Sequence, residues 1–312
     1  MLKSETLKKT LYSSIFLLVS ESLFYKISPQ LYSIFSFLPL IFIGLLIEIK
    51  YFVLSTFLSV IFLILLSSIE GILDLSIIQS SGFILSYVFF SLMVITFFFC
   101  YDSKGLKEQH VGEKLAYFNV ICCFFLTTIL IFFFSKINSE QVINYITETL
   151  TNLFESNGVY NETEIRELVK VIIKVLPAIN FFIILITFFF NFFLSHVLIQ
   201  KFNFSPLRFF DFKNLNVPKW YLIIFLTSTL FCIFFDNNFK SYAQNITLLL
   251  TFIYFFHGFL FFLGYLKKLK LNKFIKILII FLLFVFLGYL LILFIFFIGF
   301  YRNIKFLLDK RN

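Results

Sequence analysis

The chain has 312 residues, 60% of them hydrophobic and 14% charged, and a net charge of +9. A water-soluble fold of this length has too little interior for so much apolar surface, which excludes a soluble domain. The excess of positive charge does not indicate nucleic acid. Lys and Arg sit in short stretches beside apolar runs, the distribution that orients membrane proteins and attracts anionic headgroups.

The 53 Phe reflect a residue usage in which Phe, Ile, Lys and Asn displace Ala, and only Ala116, Ala178 and Ala243 are present. Phe satisfies a lipid-facing position as well as Leu does. The few Gly, Pro and polar residues inside apolar runs therefore carry more information than the Phe.

In chain order, apolar segments run over about 11–25, 31–49, 51–69, 82–101, 115–135, 171–199, 220–235, 242–266 and 274–301. A bilayer core takes roughly 20 apolar residues per helix. The fold class is all-α: a polytopic transmembrane helical bundle of about nine spans, within a range of eight to ten. The whole chain, 1–312, reads as a single integral membrane domain. Lys3, Lys8 and Lys9 precede the first segment, and Ser13 and Ser14 interrupt it, so it reads as a retained span and not a cleaved signal. Cys100, Cys122, Cys123 and Cys232 all lie in or at the edge of spans, as small buried hydrophobes do. Glu21, Glu48, Glu70 and Asp74 are the acids nearest the bilayer in the first half, and Glu48 beside Lys50 reads as a local pair. The stretch around Glu70 and Asp74 reads as an ordinary loop or a re-entrant segment.

Residues 136–170 form the one sizeable extramembrane element. Val142, Ile143, Ile146, Leu150, Leu153 and Phe154 make a helical stripe. Asn138 with Gln141 and Asn161 with Glu164 are capping pairs, and Asn157-Gly158 is a turn signal. The reading is an amphipathic helical hairpin, either a substrate lid or a surface-lying connection.

Charge sets the sides. With the N-terminus in the cytoplasm, alternate loops carry fifteen Lys and Arg inside against five outside. The hairpin is then periplasmic, and the membrane is the bacterial cytoplasmic (inner) one. The last segment is long for one crossing, and a break near Gly288 would return the basic tail to the cytoplasm.

Span six is the most pointed. Pro177 removes a backbone donor and kinks the helix. Asn180, Thr187, Asn191 and Ser195 follow at spacings that fall on one face. Span eight carries Thr251, Tyr254 and His257 beside Gly258. Polar residues in such helices must face protein or water, as a binding surface or as interhelical glue. The candidate polar binding face is Asn180, Thr187, Asn191, Thr251, Tyr254 and His257. No H-E-x-x-H, G-x-S-x-G or phosphate loop is present, so the reading is not an enzyme and names no catalytic residue, metal or cofactor.

The stretches "LPLIFIGL" (38–45), "VLPAINFFIILITFFFNFFLSHVLI" (175–199), "LNVPKWYL" (215–222), "NITLLLTFIYFFHGFLFFLGYL" (245–266) and "FFIGFYRNIKFLLDKRN" (296–312) resemble the YybS-like family of bacterial membrane proteins, a domain of unknown function. That family usually reads Gln-Gly where this chain has His257-Gly258, and many members carry Pro midway along the last apolar run. It is distantly similar to the substrate-binding membrane subunits of energy-coupling-factor vitamin transporters, which implies a transport-like bundle. Two functions follow as expectations. One is a small-solute transporter or substrate-binding membrane component, with the lipid bilayer and a small molecule as partners. The other is a non-transporting membrane partner or assembly protein.

Overall fold

A computed structural model of the chain describes residues 4–73, 81–102, 111–136, 139–154, 162–208, 215–235, 237–269 and 288–309, with isolated positions between 210 and 286. The described residues are mostly helical, and none of them forms a strand. The order is α1 (Ser4–Ile27), α2 (Pro29–Phe35), α3 (Leu38–Leu46), α4 (Ile49–Leu73), α5 (Ser81–Asp102), α6 (Val111–Lys136), α7 (Ser139–Phe154), α8 (Glu162–Lys201), α9 (Lys219–Phe234), α10 (Asn237–Lys268) and, as α11, Tyr289–Asp309. Five of these are long and apolar enough to cross a membrane, over Gly82–Asp102, Val111–Ile129, Thr163–Lys201, Phe239–Lys268 and Leu290–Asp309. Shorter apolar helices cover Gln30–Leu46, Ile49–Leu65 and Lys219–Phe234.

Two compact units result. The first comprises Met1–Gln109 and Ile184–Phe210; the second comprises His110–Ile183 and Asp211–Asn312. The outward faces are apolar in both. Leu85, Leu92 and Phe99 stand exposed seven residues apart on α5, and Ile223, Leu226 and Leu230 stand exposed at helical spacing on α9. Such stripes suit a lipid solvent, in which backbone polar groups close their bonds within helices and apolar side chains face out.

Local chemistry explains the breaks. Ser28, in extended conformation, caps α2 by accepting from Leu31 N, and Pro29 occupies the first turn, where its missing N–H is harmless. The segment 31–49, expected as one span, is interrupted at Ser36-Phe37, and α3 restarts with Pro39 in its first turn. Glu48 and Lys50 pair at 2.9 Å in the exposed link to α4. Gly288 has a φ of 44°, a left-handed conformation that few side chains tolerate, and α11 starts directly after it. α11 then continues past Tyr301 through the basic residues to Asp309. Asp74 and the turn at Asn157-Gly158 lie outside the described residues, as do the capping residues Asn138 and Asn161.

α8 is 40 residues long, about 60 Å at 1.5 Å per residue and twice the thickness of a bilayer core. Its charged start packs on α7. Ile165, Val169 and Ile173 form a buried cluster with Ile143 and Ile146. Arg166 donates to Asn144 Oδ1 at 3.1 Å.

Candidate functional site

The unit boundary divides the residues singled out in the sequence. Thr187 and Asn191 belong to the first unit, while Pro177, Asn180, Thr251, Tyr254 and His257 belong to the second. Asn180 is exposed, Thr187 and Thr251 are half-buried, and Asn191, Tyr254 and His257 are buried. Tyr254 and His257, three apart on α10, are thus brought to the buried side of one helix, and Asn180 is not on such a side.

In the second unit, α10 and α11 cross with their backbones in contact. A Cβ at Gly258 would overlap Ile295 O, and one at Gly299 would overlap Tyr254 O. Small residues allow this approach, and in lipid it is tight packing, not apolar burial, that holds helices together. The Tyr254 ring is fully buried between Tyr221, Phe225 and Phe300, with centroids at 5.8, 5.3 and 5.2 Å. Its hydroxyl has no hydrogen-bond partner among the described residues, and neither has His257 Nδ1. His257 is 7% exposed, and the Arg302 guanidinium, lying over the Phe261 ring at 4.3 Å, is within electrostatic range of it.

Several other polar side chains of this unit bond backbone. Asn245 bridges the turn at Pro177: Oδ1 accepts from Ala178 N at 3.0 Å, and Nδ2 donates to Lys174 O at 2.7 Å. Asn303 Oδ1 accepts from Val217 N at 3.0 Å, so the buried Leu215–Val217 strap is tied to α11. Asn119 donates to Leu249 O and Tyr221 to Leu250 O, at 3.3 and 2.8 Å.

The first unit is built differently. The buried face of α1 carries Thr10, Ser13, Ser14, Leu17 and Glu21, and α4 answers with Ser55, Thr56 and Ser59. Ser55 donates to Thr10 O at 3.2 Å, and Ser59 Oγ lies 2.7 Å from Tyr87 Oη on α5. This hydroxyl seam ends at Glu21, which is 0% exposed and has neither carboxylate oxygen bonded among the described residues. A second buried charge, Arg208, is fully matched. Its Nε donates to both oxygens of Asp102 at 2.9 and 3.0 Å, its Nη1 donates to Gly44 O and Ile47 O, and its plane lies over Phe98. Leu207 N adds a bond to Leu45 O, so the end of α3 is capped by this one strand of chain. Asn191 Nδ2 donates to Ile34 O at the end of α2 and to Thr187 O. Ser195 Oγ reaches Leu38 O.

Sequence reasoning missed the seam and the Arg208 hub. The i, i+3, i+7 spacing of Ser14, Leu17 and Glu21 was a usable signal for the first. Nothing in the sequence pairs Arg208 with Asp102, which lies 106 positions away.

The model of the family described as "Predicted membrane protein (DUF2232)" matches residues 27–301. The chain belongs to this family. No curated protein and no solved structure matches it. The match takes in the Arg208 hub and the Tyr254–His257 pair, and it starts after Glu21.

Proposed function

We propose that the protein is a small-solute transporter or substrate-binding component of the bacterial cytoplasmic membrane, with Tyr254 and His257 contacting the solute. One observation carries this reading. Two polar side-chain atoms on the same helix, Tyr254 Oη and His257 Nδ1, are buried without a partner among the described residues. In a bilayer such atoms lack water, and leaving them unbonded costs about 1–3 kcal/mol each. A small polar solute offering one acceptor and one donor would satisfy both. Thr251, on the same helix, remains part of the proposed polar face.

The proposed arrangement in the membrane takes about nine spans from the apolar segments, and from charge a cytoplasmic N-terminus and a periplasmic 136–170 hairpin. Cysteine labelling in intact cells tests it. Ser156→Cys should react with an impermeant reagent added outside, and Lys270→Cys only after permeabilisation. The reverse pattern would invert the topology.

The decisive experiment is extraction of small molecules from the purified protein, followed by mass spectrometry. Wild type should release one polar solute at near-equal molar amount, and Tyr254→Phe and His257→Leu should release far less. Lipid alone from all three would overturn the solute reading. It would favour the second reading, a non-transporting partner or assembly protein. That reading is supported by Asn191, Ser195, Asn245 and Asn303, whose side chains all bond backbone of other segments.

A further inference from the structure

We propose that Glu21 is the centre of a binding site for a small monovalent cation, a proton or a sodium ion, enclosed within the first unit. Three observations converge on it. Glu21 is wholly buried, and both its oxygens lack hydrogen-bond partners among the described residues. It sits at the end of a seam of oxygen-bearing side chains, where α1 meets α4 and the Ser59–Tyr87 pair joins α4 to α5. The hydroxyls of Tyr32 on α2 and Tyr87 on α5 both lie within electrostatic range of the carboxyl, with Ser86 facing the first and Ser91 the second.

The same unit shows how this chain treats a half-buried acid that is merely structural. Asp102 receives a bidentate guanidinium. Glu21 receives nothing comparable. The groups in range of it are the Tyr32 and Tyr87 hydroxyls, and no Lys, Arg or His among the described residues is paired with it. Lys26, five residues on, is exposed. An unbalanced carboxylate away from water costs several kcal/mol, so the site is completed by a cation from outside the chain. The available donors are a carboxylate and neutral hydroxyl oxygens, hard ligands that suit a proton or a small alkali ion and do not suit a soft metal.

The site lies in the other unit from Tyr254 and His257, so it stands or falls separately from the solute reading. The test uses the purified full chain in detergent. Dicyclohexylcarbodiimide modifies carboxyl groups held in apolar surroundings: the acid proton moves to a carbodiimide nitrogen, the carboxylate oxygen bonds the central carbon, and acyl migration leaves a stable N-acylurea. Peptide mass spectrometry should find the adduct on Glu21. Suppression by NaCl but not by choline chloride identifies sodium. Indifference to sodium, with labelling that falls as pH rises, identifies the proton. In parallel, the unfolding temperature of wild type should shift by several degrees with the same cation, and that of Glu21→Gln should not respond. No adduct on Glu21, together with identical pH and sodium dependence of unfolding in wild type and Glu21→Gln, would overturn the proposal. Should Glu21→Gln fail to fold, the labelling pattern of wild type decides alone.

Discussion

In the first unit α1, α4 and α5 meet through serine, threonine and tyrosine hydroxyls, and charge is buried twice, at Glu21 and at the Arg208–Asp102 pair. In the second unit α10 and α11 meet through glycine, and the buried carboxamides of Asn119, Asn245 and Asn303 are aimed at backbone. Both solutions answer the same problem. Lipid tails give helices no apolar reason to associate, so contact must come from close backbone approach or from polar bonds. The glycine solution gives rigidity at the crossing. The hydroxyl solution leaves oxygen atoms in the interior, which a ligand can use. The difference locates ion chemistry in the first unit and leaves the second with a packed core and two unsatisfied atoms on α10.

The largest test of this contrast is Arg208→Ala. It strands Asp102 and uncaps two carbonyl groups at the end of α3, those of Gly44 and Ile47. Arg208 is buried and Asp102 half-buried, and removing one member of such a pair costs up to about 3–5 kcal/mol. The variant should unfold at a much lower temperature in detergent, or fail to accumulate. An Arg208→Met, Asp102→Leu double variant should recover much of the loss, because an apolar pair leaves no stranded charge. Equal damage in single and double variants would show that the bonds to α3, and not the ion pair, hold the unit.

Next in size is Gly258→Ala. The added methyl overlaps Ile295 O, a backbone atom that cannot swing aside, and overpacking of this kind costs about 1–3 kcal/mol. Gly264, on the same helix, has open space where its Cβ would be. Gly264→Ala should therefore leave the melting temperature unchanged or raise it slightly, since Ala favours helix by about 1 kcal/mol over Gly. Comparable losses in the two variants would mean that helix propensity, not the crossing, governs α10.

These contrasts also show what the sequence disclosed. Helix positions were legible because long apolar runs have one solution in lipid: 82–101 becomes Ser81–Asp102, and 220–235 becomes Lys219–Phe234. Gly288 was legible because its backbone chemistry is local. Pairing was not. Arg208 sits in a loop, and a loop charge reads as solvated; only the fold reveals that it is 5% exposed beside Asp102. Ser13 and Ser14 read as interruptions of an apolar run, and they become an interface only when Ser55 and Ser59 are known to face α1 and α5. The polar stripe on span six was legible as a stripe, but its exposed member Asn180 and its buried member Asn191 belong to different units.

A smaller effect is expected at the Pro177 turn. Asn245→Leu removes the acceptor for Ala178 N and the donors to Lys174 O and Ser241 O. Interhelical hydrogen bonds in bilayers average about 0.6 kcal/mol and reach roughly 1.7, so the loss should be on the order of 1–2 kcal/mol. Adding Pro177→Ala should restore part of it, because a regular helix serves Lys174 and Ala178 without outside help. If the two changes simply add, Asn245 is not acting on the turn at Pro177. Asn191→Leu should fall in the same range and exceed Thr187→Val, because the Asn191 amide bonds two carbonyl groups.

The smallest expected effect on stability, and the sharpest on function, is at His257. Its Nδ1 is already without a partner among the described residues, so His257→Leu removes no hydrogen bond at that atom and should alter unfolding by less than about 1 kcal/mol. It should nevertheless abolish solute retention, because Leu offers neither donor nor acceptor. His257→Gln is the informative partner. A carboxamide and a neutral imidazole each provide both functions, so Gln should retain the solute with near-normal stability. Should Gln fail where folding is intact, the ring must do something an amide cannot, namely take up and release a proton. In that case proton chemistry would belong to the second unit as well as the first, and the division between a packed unit and an ion-binding one would no longer hold.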